Sequence, residues 1–295
     1  MHTAHTQVPP IRIRVAHSPD ADDAFMFYAL AADPPRIPTG PYRFEHTLAD
    51  IETLNRAALE GRYEISALSI HAYPYVADRY ALMSCGASMA EADYGPVVVA
   101  RRPFSPEQLR NRRIAVPGLW TSAYLALRLY LPEFEPVVVP FDRILELVAR
   151  GELEAGLLIH EGQLTYARWG LAEVVNLGRW WYGQTGLPLP LGGNVIRRDL
   201  GPEHMRRLTA LLRQSIAYAL THRQEALPYA LRYARELSSS QEADRFVSMY
   251  VNRRTLDYAP DGRQAVQLFL DRGYEAGWIP KRVQVEFIDP EEPGE

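Results

Sequence analysis

Cysteine is nearly absent from this chain of 295 residues: Cys85 stands alone, so no internal disulfide and no cysteine metal cluster can form. Long apolar runs are missing too, because no window approaches the roughly 18 apolar residues of a membrane span. The first residues lack the apolar core of a signal peptide, and we therefore expect a cytoplasmic protein. The formal net charge of -4 is small, which argues against nucleic acid or an anionic membrane as the main partner.

The chain also lacks the short motifs of several common chemistries. It contains no Walker A loop and no GxGxxG, HExxH or GxSxG pattern, so nucleotide-phosphate binding and serine hydrolysis by these routes are unsupported. One acidic cluster, Asp20, Asp22 and Asp23 beside His17, has residue types that suit a hard cation, but no second cluster completes a metal site. Capping of the following helix and ordering of the loop itself is the favoured interpretation of these residues. Contact between the loop and a polar ligand remains open.

What the chain does contain is an alternation of strand and helix signals. Residues 113–160 show the pattern strand, helix, strand, helix, strand, which is typical of a parallel sheet. An acidic cap, a helix ended by glycine and a strand ending in histidine occur twice, at 50–71 and at 142–160. The caps are Asp50 and Asp142. This similarity suggests two α/β lobes with a cleft between them.

The rest of the chain is mostly helical and adds no second strand-rich unit. Apolar residues recur at helical spacing in four segments, at 202–221, 224–237, 241–250 and 263–276. We expect these helices to pack back onto the first lobe. The sequence thus predicts an α/β, two-lobed fold with mixed sheets. Residues 1–94 and 195–295 would form a larger discontinuous lobe and residues 95–194 a smaller one, with a hinge near Gly95 and Gly193.

A short apolar strand over 156–159 stops abruptly at His160, followed by Glu161 and Gly162. In open α/β sheets, ligands bind outside the carboxyl ends of the strands, which makes His160 a candidate base or ligand contact. A histidine that merely ends a strand and bonds to backbone is an equally simple interpretation. His71 occupies the matching place in the other lobe, and the residues alone do not choose between the two.

Two further groups of residues leave a choice between ligand binding and ordinary structure. Thr121 and Ser122 follow a Pro-Gly turn and open a helix, where free N–H groups and hydroxyls favour an anion such as a carboxylate. They could instead simply cap that helix. The aromatic run Trp180, Trp181 and Tyr182 could form a wall of a binding site, although core packing is the more common role of such residues.

Several phrases, taken together and in this order, carry a family resemblance. They are HSPDADDAFMFYA (17–29), DIETLNR (50–56), ALS (67–69), YGPV (94–97), VPG (116–118) with TSAY (121–124), AGLLIHEG (155–162) and TGLPLPLG (185–192). Each phrase alone is weak, but the ordered set is specific. The chain resembles the 1,4-dihydroxy-6-naphthoate synthase family of the futalosine route to menaquinone, from about Ile11 into the C-terminal helices.

The resemblance implies a fold like that of periplasmic solute-binding proteins, used inside the cytoplasm. It implies a cofactor-free lyase that converts cyclic dehypoxanthinyl futalosine to 1,4-dihydroxy-6-naphthoate, with release of dihydroxyacetone. The family's proposed base corresponds to His160. The implied contacts to a small carboxylate substrate are Ser69, Thr121, Ser122, Ala67, Leu68 and Asp23, and no metal is expected.

Two departures from the family pattern concern the substrate. Many members have SPCPNDTF where this chain has SPDADDAF, so Asp22 replaces an asparagine and the loop is more acidic. Many also carry a lysine where this chain has Ala67, and loss of that cation would weaken binding of an acidic substrate.

The alternative function is a non-catalytic solute-binding protein for a small carboxylate.

Overall fold

The computed structural model describes residues 9–233 and 239–291. Within these ranges the chain forms twelve strands: β1 (Ile11–His17), β2 (Tyr42–Leu48), β3 (Ile65–Ser69), β4 (Tyr80–Met83), β5 (Ser88–Ala90), β6 (Val97–Ala100), β7 (Arg113–Val116), β8 (Glu135–Val138), β9 (Ala155–Leu158), β10 (Ala172–Asn176), β11 (Leu189–Arg197) and β12 (Phe287–Ile288). The same ranges contain twelve α-helices: α1 (Ala21–Ala31), α2 (Ile51–Leu59), α3 (Tyr73–Val76), α4 (Ser122–Tyr130), α5 (Ile144–Arg150), α6 (Gly162–Thr165), α7 (Leu177–Thr185), α8 (Pro202–Thr221), α9 (Arg223–Ala230), α10 (Ser240–Tyr250), α11 (Arg253–Leu256) and α12 (Ala259–Glu275).

The strands form two separate mixed sheets. The larger sheet has the order β12-β4-β11-β3-β1-β2, with β5 paired to β11. The smaller sheet has the order β10-β6-β9-β7-β8. In it, β7 runs parallel to both β8 and β9, which confirms the predicted β-α-β-α-β unit. We call the part built on the larger sheet the first lobe and the part built on the smaller sheet the second lobe.

The chain crosses between the sheets twice, from β5 to β6 and from α7 to β11. The predicted lobe boundaries, 1–94 with 195–295 and 95–194, and the hinge near Gly95 and Gly193, stay a prediction. The first crossing is tightly packed against α7, since a side chain on Gly178 would overlap the carbonyl oxygen of Tyr94.

The C-terminal helices pack onto the first lobe as expected. Helix α1 lies against α8, α9 and α10, and a shared core joins residues such as Phe25, Leu208 and Phe246. The predicted helix at 224–237 ends earlier, at Ala230, and residues 234–237 lie outside the described ranges. Across the described residues, no helix combines the length and apolarity needed to span a bilayer.

Of the two helix caps predicted at Asp50 and Asp142, one is confirmed and the other is wrong. The Asp50 side chain accepts a hydrogen bond from the Thr53 N–H, 3.0 Å away, so this cap is confirmed. The cap predicted at Asp142 is wrong, because α5 begins after Arg143 and a 3-10 turn over Phe141–Arg143 precedes it. That turn matters below, because it places the Phe141 ring beside the cleft.

None of the three residues of the aromatic run on α7 borders the cleft, and Trp181 belongs to the core. Trp181 is fully buried, donates its indole N–H to the Pro188 carbonyl at 3.1 Å and meets the Phe269 ring edge-on. Tyr182 instead lies exposed on the surface. The packing interpretation is therefore the correct one for Trp181, and the aromatic-wall interpretation is wrong.

Candidate active site

A cleft between the two sheets brings the candidate residues together. Its empty volume, including space open to solvent, is about 710 Å³, which lies in the usual range for small-molecule sites. The residues that border it include all the site residues that the family resemblance implied: His160, Ser69, Thr121, Ser122, Ala67, Leu68 and Asp23. They come from both lobes, and hydrogen bonds such as the one from the Ser122 hydroxyl to the Leu191 carbonyl connect the two walls.

The start of α4 offers backbone donors rather than hydroxyls. The Thr121 hydroxyl donates to the Gly118 carbonyl at 2.9 Å and accepts from the Tyr124 N–H at 3.2 Å, so it acts as the helix cap. The Ser122 hydroxyl, already donating to Leu191, also accepts from the His71 N–H at 3.1 Å. Within the described chain, the N–H groups of Ser122 and Ala123 have no acceptor. These N–H groups, at the positive end of the helix, are available to donate to an anion in the cleft.

His71 packs against the start of α4 on the side away from the cleft. It is 4% exposed, and its Nδ1 lies 3.3 Å from the Thr121 carbonyl oxygen. Burial lowers its pKa to about 4, so the ring is neutral at physiological pH. His71 does not border the cleft, whereas His160 does. The two histidines that the sequence could not separate therefore occupy different environments.

His160 follows β9 and borders the cleft from the second lobe. Its φ of +56° lies in the left-handed region, which is uncommon for a residue other than glycine and turns the chain sharply into α6. The Nδ1 atom is 3.1 Å from Oδ2 of Asp20, which belongs to the first lobe. The Phe141 ring packs edge-on against the imidazole, with 4.8 Å between ring centroids.

The acidic loop before α1 is ordered by one of its own carboxylates, as predicted, but Asp20 does not cap the helix. Asp20 occupies the position before α1, but its side chain makes no capping hydrogen bond, so the capping prediction is wrong for this residue. Asp23 orders the loop, since its Oδ2 accepts from both the N–H and the hydroxyl of Ser18 at 2.8 Å. Among the described residues, no cluster of three His, Cys, Asp or Glu side chains forms a metal-binding group.

Asp22 is the exceptional carboxyl group of this loop. It is 8% exposed, it borders the cleft, and its Oδ1 atom has no hydrogen-bond partner. Burial, followed by the nearby charges of Asp23 and Asp20, raises its pKa to about 7. Asp22 is therefore substantially protonated at neutral pH, where it can donate a hydrogen bond.

The floor of the cleft is the pair β3 and β11. Asn55 holds Ser69 by two hydrogen bonds: its amide donates to the Ser69 hydroxyl at 3.0 Å, and its oxygen accepts from the Ser69 N–H at 2.9 Å. In the register of the two strands, Ala67 lies opposite Asn194. The Asn194 side chain is buried, donates to the Gly86 carbonyl and keeps an Oδ1 atom without a partner.

The residues of the cleft that escaped prediction from sequence include Asn194, Gln163 and Tyr250. The Tyr250 hydroxyl from the first lobe lies 2.6 Å from the Gln163 side-chain amide of the second. No sequence pattern links positions so distant in the chain, although the pairing of β3 with β11 would have indicated Asn194. No described residue lining the cleft is a lysine or arginine, so the cation missing at Ala67 is not replaced there.

Comparisons with known proteins identify the family and the fold of this chain. A family model described as menaquinone biosynthesis matches residues 13–275. A 1,4-dihydroxy-6-naphthoate synthase of Thermus thermophilus is 48% identical over 86% of this chain and 91% of its own length. The crystal structure of AF1704 from Archaeoglobus fulgidus has a TM-score of 0.86 at 46% identity, covering 94% of this chain and 100% of that one. The alkanesulfonate-binding protein SsuA from Xanthomonas axonopodis has a TM-score of 0.65 at 14% identity, covering 94% and 97%.

The likeness to SsuA, at its low identity, concerns the fold alone, and that fold is the periplasmic-binding-protein architecture of two α/β lobes around a cleft. The class predicted from the sequence is thus confirmed. Within this class, the chain belongs to the menaquinone biosynthesis family. The resemblance to the naphthoate synthases is likewise confirmed.

Proposed function

We propose that this protein is a lyase that converts cyclic dehypoxanthinyl futalosine to 1,4-dihydroxy-6-naphthoate and releases dihydroxyacetone. The observation that carries the proposal is the placement of His160 and the free N–H groups of α4 around one cleft. An anion site and a base in the same cleft suit a substrate that has a carboxylate and must lose a proton. The naphthoate synthase of Thermus thermophilus, at 48% identity, supports the same reaction.

In the proposed mechanism, the substrate carboxylate binds the Ser122 and Ala123 N–H groups at the start of α4. His160 accepts a proton from the substrate, elimination of the sugar-derived fragment follows, and the second ring becomes aromatic. Imidazole titrates at about pH 6.5 in water, which suits a base at neutral pH. The residues named need no cofactor for these steps.

The departure at Ala67 affects how the carboxylate is bound. Because the described lining has no cation, the helix N–H groups carry the recognition of the anion. Asp22, protonated in part near neutral pH, repels that anion less than a full carboxylate charge would. Ser69, fixed by Asn55, and Asn194 supply neutral polar contacts on the floor.

The direct test is turnover of cyclic dehypoxanthinyl futalosine by the purified protein, followed by mass spectrometry of the naphthoate. We expect His160→Asn to lower kcat by about 100- to 10,000-fold, the usual contribution of a general base. His222→Asn is the matched control, because His222 is exposed at the end of α8 and does not border the cleft. Full turnover by His160→Asn would refute the assigned base.

The alternative, a non-catalytic solute-binding protein, predicts a different result from the same assay. Such a protein would bind the carboxylate compound tightly in calorimetry and leave it chemically unchanged. We propose a cytoplasmic location for the biosynthetic enzyme, which fractionation of the native cells with antibodies would check. Recovery of the protein from the periplasm, without turnover, would favour the binding protein.

A further inference from the structure

The pair of Asp20 and His160 joins the two lobes at the cleft. Asp20 lies in the first lobe at the end of the loop after β1, and His160 lies in the second lobe after β9. The 3.1 Å separation between Oδ2 of Asp20 and Nδ1 of His160 is a hydrogen-bonding distance. The Asp20 side chain is 3% exposed and that of His160 is 16% exposed, so the contact is largely shielded from water.

The two sides of the contact are held independently. The loop that carries Asp20 is fixed by the two hydrogen bonds from Ser18 to Asp23, and the Asp20 carboxylate does not cap α1. On the other side, the left-handed backbone of His160 and the edge of Phe141 set the direction of the ring. The pair therefore joins two segments that are each ordered by contacts within their own lobe.

We propose that Asp20 is a positioning residue that accepts the Nδ1–H of His160 and so completes the catalytic base only when the two lobes are closed. A neutral imidazole that carries its proton on Nδ1 has an unprotonated Nε2, which is the nitrogen that can accept the substrate proton. A carboxylate beside the ring also stabilises the imidazolium that forms on proton transfer. The inference rests on the proposed role of His160 and assigns no direct substrate contact to Asp20.

Closure of the cleft then has a chemical consequence in addition to excluding water. With the lobes apart, His160 would lose its carboxylate partner and its fixed tautomer. Substrate that bridges the α4 N–H groups and the first lobe favours the closed form, and in this form the base is oriented. The Tyr250–Gln163 contact also joins the lobes and accompanies the same closure.

The decisive experiment compares Asp20→Asn with the wild type in steady-state kinetics from about pH 5 to about pH 9. We expect kcat to fall about 10- to 100-fold with a much smaller change in KM, because orientation and charge stabilisation act in the transition state. We also expect the acid limb of the kcat profile to move to lower pH, since the imidazolium loses its anionic neighbour. Asp78→Asn, which removes an exposed carboxylate remote from the cleft lining, should change neither parameter.

The effects of other titratable groups near the His160 ring on the pH profile have to be distinguished from the effect of Asp20. Asp22 and Asp23 lie on the same loop and first turn of α1, Glu161 is the next residue in the chain, and Tyr250 faces the cleft from α10. Asp22 titrates near pH 7, so Asp22→Asn must be measured in parallel. An acid limb that moves in Asp22→Asn and stays fixed in Asp20→Asn would overturn the proposal.

A second measurement does not depend on turnover. Nitrogen-15 NMR of the histidine rings, with His160→Asn used to assign the His160 signals, reports which ring nitrogen carries the proton. We expect the Nδ1–H form in the wild type and a mixture of tautomers in Asp20→Ala, with the thermal melt confirming that the variant is folded. An unchanged tautomer in Asp20→Ala would refute the positioning role. Absent turnover with an intact Asp20-dependent tautomer would instead reject the proposed reaction and keep the pairing.

Discussion

Asp22→Asn tests the electrostatics of the cleft through protein stability. Asp22 is 8% exposed, and burial with its acidic neighbours raises its pKa from the ordinary 3.8 to about 7. The folded protein therefore holds a proton on Asp22 in a pH range where the unfolded chain has released it. Consequently this group makes the folded state progressively less stable as the pH rises from about 4 to about 7.

The size of the effect follows from the two pKa values. Each tenfold difference in proton affinity corresponds to about 1.4 kcal/mol, so the full difference amounts to about 4 kcal/mol above pH 7. Asparagine has nearly the same shape and no charge, but its buried amide costs about 1–2 kcal/mol if it lacks a partner. We expect Asp22→Asn to be more stable than the wild type by about 2–3 kcal/mol at high pH. The gain should vanish in mild acid.

Thermal unfolding followed by circular dichroism, at several pH values between about 5 and about 8, measures this difference. A gain of that size corresponds to a rise in Tm of about 4–12 °C for a chain of this length. Asp78→Asn, at an exposed carboxylate, controls for the general loss of one negative charge. If the Tm difference between Asp22→Asn and the wild type does not change with pH, the reasoning about the buried carboxyl group is wrong.

Two further predictions concern close packing and the floor of the cleft. Gly178→Ala should destabilise the protein by about 1–3 kcal/mol, because the new methyl group would overlap the Tyr94 carbonyl. Gly183→Ala, on the same helix with open space around it, should be neutral or slightly stabilising in the same denaturant titration. Asn55→Ala should cost about 2–3 kcal/mol and raise KM, since it removes both hydrogen bonds that hold Ser69; an unchanged KM would show that Ser69 does not contact the substrate.

The sequence determined the elements that depend on local patterns. The structure reproduces three features that depend only on neighbouring residues: the alternating apolar strands, the glycine at the end of α5 and the Asp50 cap. The ordered family phrases also determined the fold class, because homologous chains share their architecture. The same phrases favoured His160, although the strand pattern alone gave His71 an equal claim.

Tertiary structure decided what each polar side chain contacts. Asp20 precedes a helix and is of a residue type that commonly caps helices, but its carboxylate contacts His160 across the cleft. Packing of the two lobes brings the Asp20 and His160 side chains within hydrogen-bonding distance. Ser122 has a hydroxyl suited to an anion, yet its bonds to Leu191 and His71 leave only the N–H groups free. Contacts between residues far apart in the chain depend on how the two sheets pack together. Local sequence patterns carry no information about which distant residues this packing brings into contact.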